Sequence, residues 1–166
     1  MLTQNGLTGN GNLRTPGRLS FLALEIFPFL LIPVLVYNLF ALLAGSPLPG
    51  TDSPRILAGI DNAAVAVTML SGVRFRLSWG DVLLVFSIIF LFVEVLKSTR
   101  TYSPAIVNHM ASMALFIFCL IEFLLFPNYS TSTFFLLTMM VLVDALAGMI
   151  VTIVSARRDF GVEGVS

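Results

Sequence analysis

Charge is scarce in this chain. Only 11% of its 166 residues are Asp, Glu, Lys or Arg, against 57% hydrophobic. A soluble domain carries about 25% charged residues. So few charges cannot cover the apolar surface of a water-soluble fold, which points to an integral membrane protein. The nine basic and nine acidic residues cancel. No basic face is left to neutralise phosphates, and no nucleic-acid partner is expected. The single cysteine, Cys119, lies in an apolar run and excludes an internal disulfide. HExxH, CxxC, GxGxxG and Walker-type loops are all missing. His109 has no second histidine to join it, so it reads as a bundle residue and not as a metal ligand. The methionines read as packing residues. No catalytic residue, metal or cofactor is expected, and the chain reads as non-enzymatic. Its length suits one membrane domain.

What the chain does have is long apolar runs. Four spans are expected, at about 19–44, 81–97, 104–126 and 132–155, each able to cross a core about 30 Å thick at about 1.5 Å per residue. Residues 19–157 then form an all-α four-helix transmembrane domain. Trp79 sits where it can extend the second span at the interface. Pro28 and Pro33 fall inside the first span and are expected to bend it. The Gly- and Asn-rich residues 1–18 read as a disordered cytosolic tail, and 158–166 as a second cytosolic tail. The run Phe21 to Ala44 exceeds the about 7–15 residues of a signal-peptide core, so a retained span is expected and not a cleaved leader.

The stretch "ILAGIDNAAVAVTMLSGV", from Ile56 to Val73, is also apolar enough to suggest a span. Charge argues against it. With four spans, Arg14, Arg18, Lys97, Arg100, Arg157 and Arg158 share one side, and Arg55, Arg74 and Arg76 the other. A fifth span would put most basic residues outside, against the positive-inside rule. Four spans place both termini in the cytosol, as expected of a multi-pass protein that obeys this rule. Alternation instead predicts an amphipathic β-hairpin over 63–79 at the outer face. A two-residue turn at Ser71-Gly72 would pair Thr68 with Phe75 and Ala66 with Leu77 on an apolar face. Met69 would pair with Arg74, and Val67 with Arg76, on a face turned outward as a partner surface. The following "SWGD" has the spacing of a capping box, Ser78 to Asp81.

Each expected span carries an acid: Glu25, Glu94, Glu122 and Asp144. Ionisable groups inside a bilayer are costly and mark the default site, together with Asn108 and His109. Helical rise puts Glu25, Glu94 and His109 near the cytosolic face, Asp144 near the middle and Glu122 near the hairpin. Each group also has a purely architectural reading. Glu94 can pair with Lys97 three residues on. Glu25 can snorkel to the headgroups. Glu122 can clamp Arg74 or Arg76. Asp144 can hydrogen-bond Asn108 or Ser112. Asn108, Ser112, Leu115, Cys119 and Glu122 form one stripe, and Thr138, Val141, Ala145, Gly148, Thr152 and Ser155 another, with Asp144 at its edge. Stripes so spaced predict close packing of the third and fourth spans.

The run "SGVRFRLSWGDVLLVFSIIFLFVEVLKSTR", with the uncharged loop "PNYSTS" and the ending "VSARRDFGVEG", resembles small four-helix inner-membrane proteins of proteobacteria that lack an assigned function. That resemblance implies the four-helix fold and no activity. In size and topology the chain is also similar to the small membrane subunits of tripartite solute transporters, though no motif carries that similarity. The leading expectation is an accessory or scaffold subunit, with the lipid bilayer and another membrane protein or a second copy as partners. The alternative is a small proton- or ion-coupled transporter or oligomeric pore using the intramembrane carboxylates.

Overall fold

Two prolines set the start of the first helix. The computed structural model describes residues 27–47, 53–98 and 104–162, with side chains except at 104–106, 152 and 155–162. Pro28 lies ahead of helix α1 (Leu31–Ala44), in a turn whose carbonyl accepts from the Leu31 N–H at 3.0 Å. Pro33 falls in the first turn of α1. The first four N–H groups of a helix have no internal partner, so the donor that Pro33 lacks costs nothing there. Neither proline therefore sits in a helix interior to bend it. At 14 residues, α1 is about 21 Å long, short of a full hydrocarbon core. Residues 1–26, including the expected tail and Glu25, lie outside the described residues.

The apolar stretch after Ile56 does not make a long helix. It forms the one-turn helix α2 (Leu57–Ile60), then strand β1 (Ala63–Thr68), which pairs antiparallel with β2 (Arg74–Ser78). The pairing is one residue off the expected register. Thr68 lies opposite Arg74, Val67 opposite Phe75, Ala66 opposite Arg76 and Val65 opposite Leu77. The cause is the turn. The Gly72 N–H donates to the Met69 carbonyl and the Met69 N–H to the Val73 carbonyl, both at 2.9 Å. Gly72 has φ 80°, a left-handed conformation that glycine adopts without a Cβ penalty. This is a three-residue loop closed by a left-handed glycine, not a two-residue turn.

A one-residue slip reverses a strand's faces. Here it makes the hairpin more amphipathic than the alternation predicts. Val65, Val67, Met69, Val73, Phe75 and Leu77 share one face, while Ala66, Thr68, Arg74 and Arg76 share the other. A bulge at Ala64 separates the Ala63–Ser78 pair from the rest and twists the strand end toward the next helix.

Helix α3 (Trp79–Ser98) follows β2 directly. Its start is the expected capping box: the Ser78 N–H and hydroxyl donate to Asp81 Oδ2 at 2.9 and 2.7 Å, and the Asp81 N–H donates to Ser78 Oγ at 3.1 Å. Helix α4 (Pro104–Leu125) returns, a 3₁₀ turn (Pro127–Tyr129) reverses the chain, and α5 (Ser132–Val162) packs antiparallel to α4. Helix α5 runs on past the expected span to Val162.

Among the described residues, three helices are long and apolar enough to cross a membrane: Trp79–Ser98, Val107–Leu125 and Ser132–Val151. Their burial pattern agrees. Outward positions on α3 include Phe86, Ile88, Ile89 and Phe92, all exposed, whereas Ser87 and Glu94 on the same helix are fully buried. Exposed apolar and buried polar residues are the reverse of what water selects. The apolar core gathers Leu30, Val34, Tyr37 and Ala41 from α1 and its preceding turn with Leu115 and Cys119 of α4 and Phe134, Leu137 and Val141 of α5.

Candidate functional site

The buried residues of α4 coincide with its predicted stripe: Asn108, Ser112, Leu115, Cys119 and Glu122. Opposite them α5 buries Thr138, Val141, Asp144, Ala145 and Gly148. The helices approach closely at Gly148, where an added Cβ would lie 2.8 Å from His109 Nδ1. Glycine is therefore required there for the imidazole to fit. Antiparallel packing places Ser112 near Asp144 and Glu122 toward the far end, close to the turn that joins α4 to α5.

Two polar layers result. At the hairpin end, Glu122 accepts from Asn38 Nδ2 at 3.2 Å, and Asn38 Oδ1 accepts from the Tyr129 hydroxyl at 2.6 Å. Burial, and secondarily the charge of Glu122, push the Tyr129 phenol above its ordinary pKa, so it stays a donor. The Tyr37 hydroxyl shares a 2.6 Å hydrogen bond with Thr131 Oγ1 and donates to the Asn128 carbonyl at 3.0 Å. Asn128 Nδ2 donates to the carbonyls of Ala41 and Gly45, and its Oδ1 accepts from the Arg55 N–H. The loop "PNYST" is thus a clamp that ends α1 and ties it to α4 and α5. The arginine clamp expected on Glu122 is not what forms. Both Arg74 and Arg76 are exposed on a hairpin that packs against α3, and Asn38 of α1 takes their expected place.

At the opposite end, Glu94 is completely buried. Its Oε2 accepts from the Phe29 N–H at 2.8 Å, and its Oε1 accepts from Asn108 Nδ2 at 2.7 Å and pairs with Lys97 Nζ at 3.0 Å. Lys97 also donates to the Phe27 carbonyl at 2.7 Å and lies 4.5 Å from the centre of the Phe29 ring. The pair expected between Glu94 and Lys97 therefore exists, but it is built into the start of α1 and not set at a free interface. Asp144, 4% exposed, faces Ser112 and lies within electrostatic reach of Glu94 and Lys97. Ser112 and, at longer range, Glu94 and Lys97 are thus its polar neighbours. Ser112 Oγ faces the carboxyl without closing a hydrogen bond of good geometry.

Among the described residues, the buried side-chain polar atoms without a partner are Asn108 Oδ1, His109 Nδ1 and Ser112 Oγ. All three lie on α4 at this end, within little more than one turn. Buried polar groups are nearly always satisfied, so three orphans in one place single it out. Among the described residues no three His, Cys, Asp or Glu side chains gather as a metal-ligand set. A cleft of about 250 Å³ lies elsewhere, at the base of the hairpin, lined by Asp61, Asn62, Arg76, Ser78 and Asp81. It is open and is shaped by the capping box. Sequence reasoning passed over Asn38, Tyr37, Asn128 and Ser87. The heptad spacing of Gly80, Ser87 and Glu94, all buried on α3, was the signal for the last of these.

Comparison with family models, with curated proteins and with solved structures gives no match to this chain.

Proposed function

We propose that this chain is a non-enzymatic accessory or scaffold subunit of a membrane complex. It would cross a bacterial inner membrane four times, with α1 and the residues before it as the fourth span. Both termini would be cytosolic, and the hairpin would lie on the outer surface. The positive-inside rule supports that orientation, because Arg74 and Arg76 are outnumbered by the basic residues of the other side. The observation that carries the reading is the hairpin's apolar face. Val65, Val67, Met69, Val73 and Phe75 lie together on one side of the sheet, and each is exposed. A contiguous apolar face backed by a basic one is suited to binding another subunit. Purification in mild detergent should give a larger complex or a defined homo-oligomer, and Phe75→Glu should dissociate it while leaving the helices folded. A monomer that copurifies with nothing counts against the proposal. Cysteine placed at Arg74 should react with an impermeant thiol reagent from the periplasmic side; labelling only after lysis overturns the orientation.

A second reading, a small proton- or ion-coupled transporter, is favoured by the unpartnered polar atoms beside Asp144. Its test is cation-dependent flux in proteoliposomes, wild type against Asp144→Asn. Flux that the substitution leaves unchanged, or no flux at all, removes it.

A further inference from the structure

The two carboxyls of the polar centre are not equivalent, and the difference is one of charge balance. Glu94 has three donors: a backbone N–H, the Asn108 amide and the Lys97 ammonium. One of these carries a full positive charge, so Glu94 and Lys97 neutralise each other. Asp144 has no cation of its own. It faces the same centre from α5, and Lys97 is already committed to Glu94 and to the Phe27 carbonyl. The groups turned toward Asp144 are Glu94 and Lys97 of α3 and Ser112 of α4, with His109 one turn away against Gly148. His109 Nδ1 has no hydrogen-bond partner. Among the described residues, an ionised Asp144 adds a buried negative charge that the Glu94–Lys97 pair does not neutralise.

The orphaned atoms indicate how that charge is answered. Asn108 Nδ2 is fixed by its 2.7 Å bond to Glu94, so the amide cannot be reversed and Oδ1 must be an acceptor. Asn108 is 6% exposed and Ser112 1%. Both are unpartnered, and both lie on the stripe that faces α5. A carboxylate, an amide carbonyl and a hydroxyl form an oxygen set with one O–H donor and no positive charge. Thiol or imidazole ligands for a soft metal are missing from it. Its single uncompensated carboxylate suits a monovalent ion better than a divalent one.

We infer that Asp144, Asn108 Oδ1 and Ser112 Oγ form a binding site for one monovalent cation, a proton or Na⁺. The proton would make Asp144 a donor to one of the two orphaned oxygens, and Na⁺ would take all three as ligands. Glu94 and Lys97 form the fixed wall of the site. Asn108 is the positioning residue that joins them, because its Nδ2 holds Glu94 and its Oδ1 is left unpartnered on the stripe of α4 that packs against α5. The inference deepens the second functional reading, but it is decided without measuring flux.

The full-length protein in detergent or nanodiscs is treated with dicyclohexylcarbodiimide, which modifies protonated carboxyls in apolar surroundings, and the labelled peptides are located by mass spectrometry. Asp144 should be labelled and Glu94 should not. NaCl that suppresses labelling where choline chloride does not identifies Na⁺ as the occupant. Labelling indifferent to Na⁺ that falls as pH rises identifies the proton. Ser112→Ala should weaken whichever dependence is found by severalfold, and the mobility of the variant in size-exclusion chromatography checks that it folds. Asp144 unlabelled from acid to alkaline pH, or labelling whose dependence Ser112→Ala does not change, overturns the site. A labelled Asp144 in a protein that carries no flux keeps the site and removes the transport reading.

Discussion

Glu122 and Asp144 are both buried carboxyls, held on facing helices of the same bundle, yet their surroundings differ. Glu122 belongs to a layer in which Asn38, Tyr129, Tyr37, Thr131 and Asn128 satisfy one another and the backbone at the end of α1. Asp144 belongs to a layer in which Asn108, His109 and Ser112 each keep an unpartnered atom. A complete network stabilises and specifies a fold, whereas an incomplete one carries a desolvation cost that architecture alone does not explain. The hairpin-end layer is accordingly read as construction and the opposite layer as a place where something binds. Burial or the presence of a carboxyl could not have separated the two, since both layers have both.

The largest effect expected from breaking this comparison comes from Lys97. Replacing it with Met leaves Glu94 buried with two neutral donors and no cation. The loss should fall toward the lower end of about 3–5 kcal/mol, because Lys97 is itself partly exposed. Unfolding in mixed detergent, followed by the fluorescence of Trp79, measures it. Adding Glu94→Gln to Lys97→Met should recover most of the loss, since the buried charge is then gone. If the double variant is no better than the single, the pair is not what holds the start of α1.

Asn38→Ala acts on the other layer. It leaves Glu122 without its amide donor and the Tyr129 hydroxyl without its acceptor, and is expected to cost about 1–3 kcal/mol. In the same assay, Asn38→Asp should be worse than Asn38→Ala, because it sets a second carboxylate against Glu122. Equal stability of the two would show that Glu122 does not depend on Asn38.

Much of this was legible in the sequence. Low charge and long apolar runs point to membrane helices, and the spacing of Asn108, Ser112, Leu115, Cys119 and Glu122 predicts the buried face of α4. The hairpin was visible as alternation, but its register was not. Ser71-Gly72 is compatible with either a two- or a three-residue loop, and only the left-handed Gly72 within the longer loop decides between them. The site was legible as residue types and not as partners. Helical rise gives depth along an axis but not rotation or tilt, so it does not show that Asp144 faces Ser112 within electrostatic reach of Glu94, and Asn38 does not stand out beside Tyr37 in an apolar run. Contact between Arg74 or Arg76 and Glu122 would require the hairpin to lean over α4, and it packs on α3 instead.

Ser112→Ala carries the smallest expected effect on stability and the sharpest one on the comparison. The Ser112 hydroxyl is buried and has no partner, so its removal breaks no hydrogen bond within the protein and relieves the cost of burying a polar group. Stability should stay within about 0.5 kcal/mol of wild type or rise slightly. Thr131→Ala removes a hydroxyl of similar burial that bonds both Tyr37 and the Phe134 N–H, and should cost about 1–3 kcal/mol. The two variants delete the same chemical group at opposite ends of the bundle. Unequal losses would show that one layer holds the fold together and the other does not. Equal losses would mean that Ser112 is already engaged when the cation site is empty, and the contrast between Glu122 and Asp144 would then be one of position and not of role.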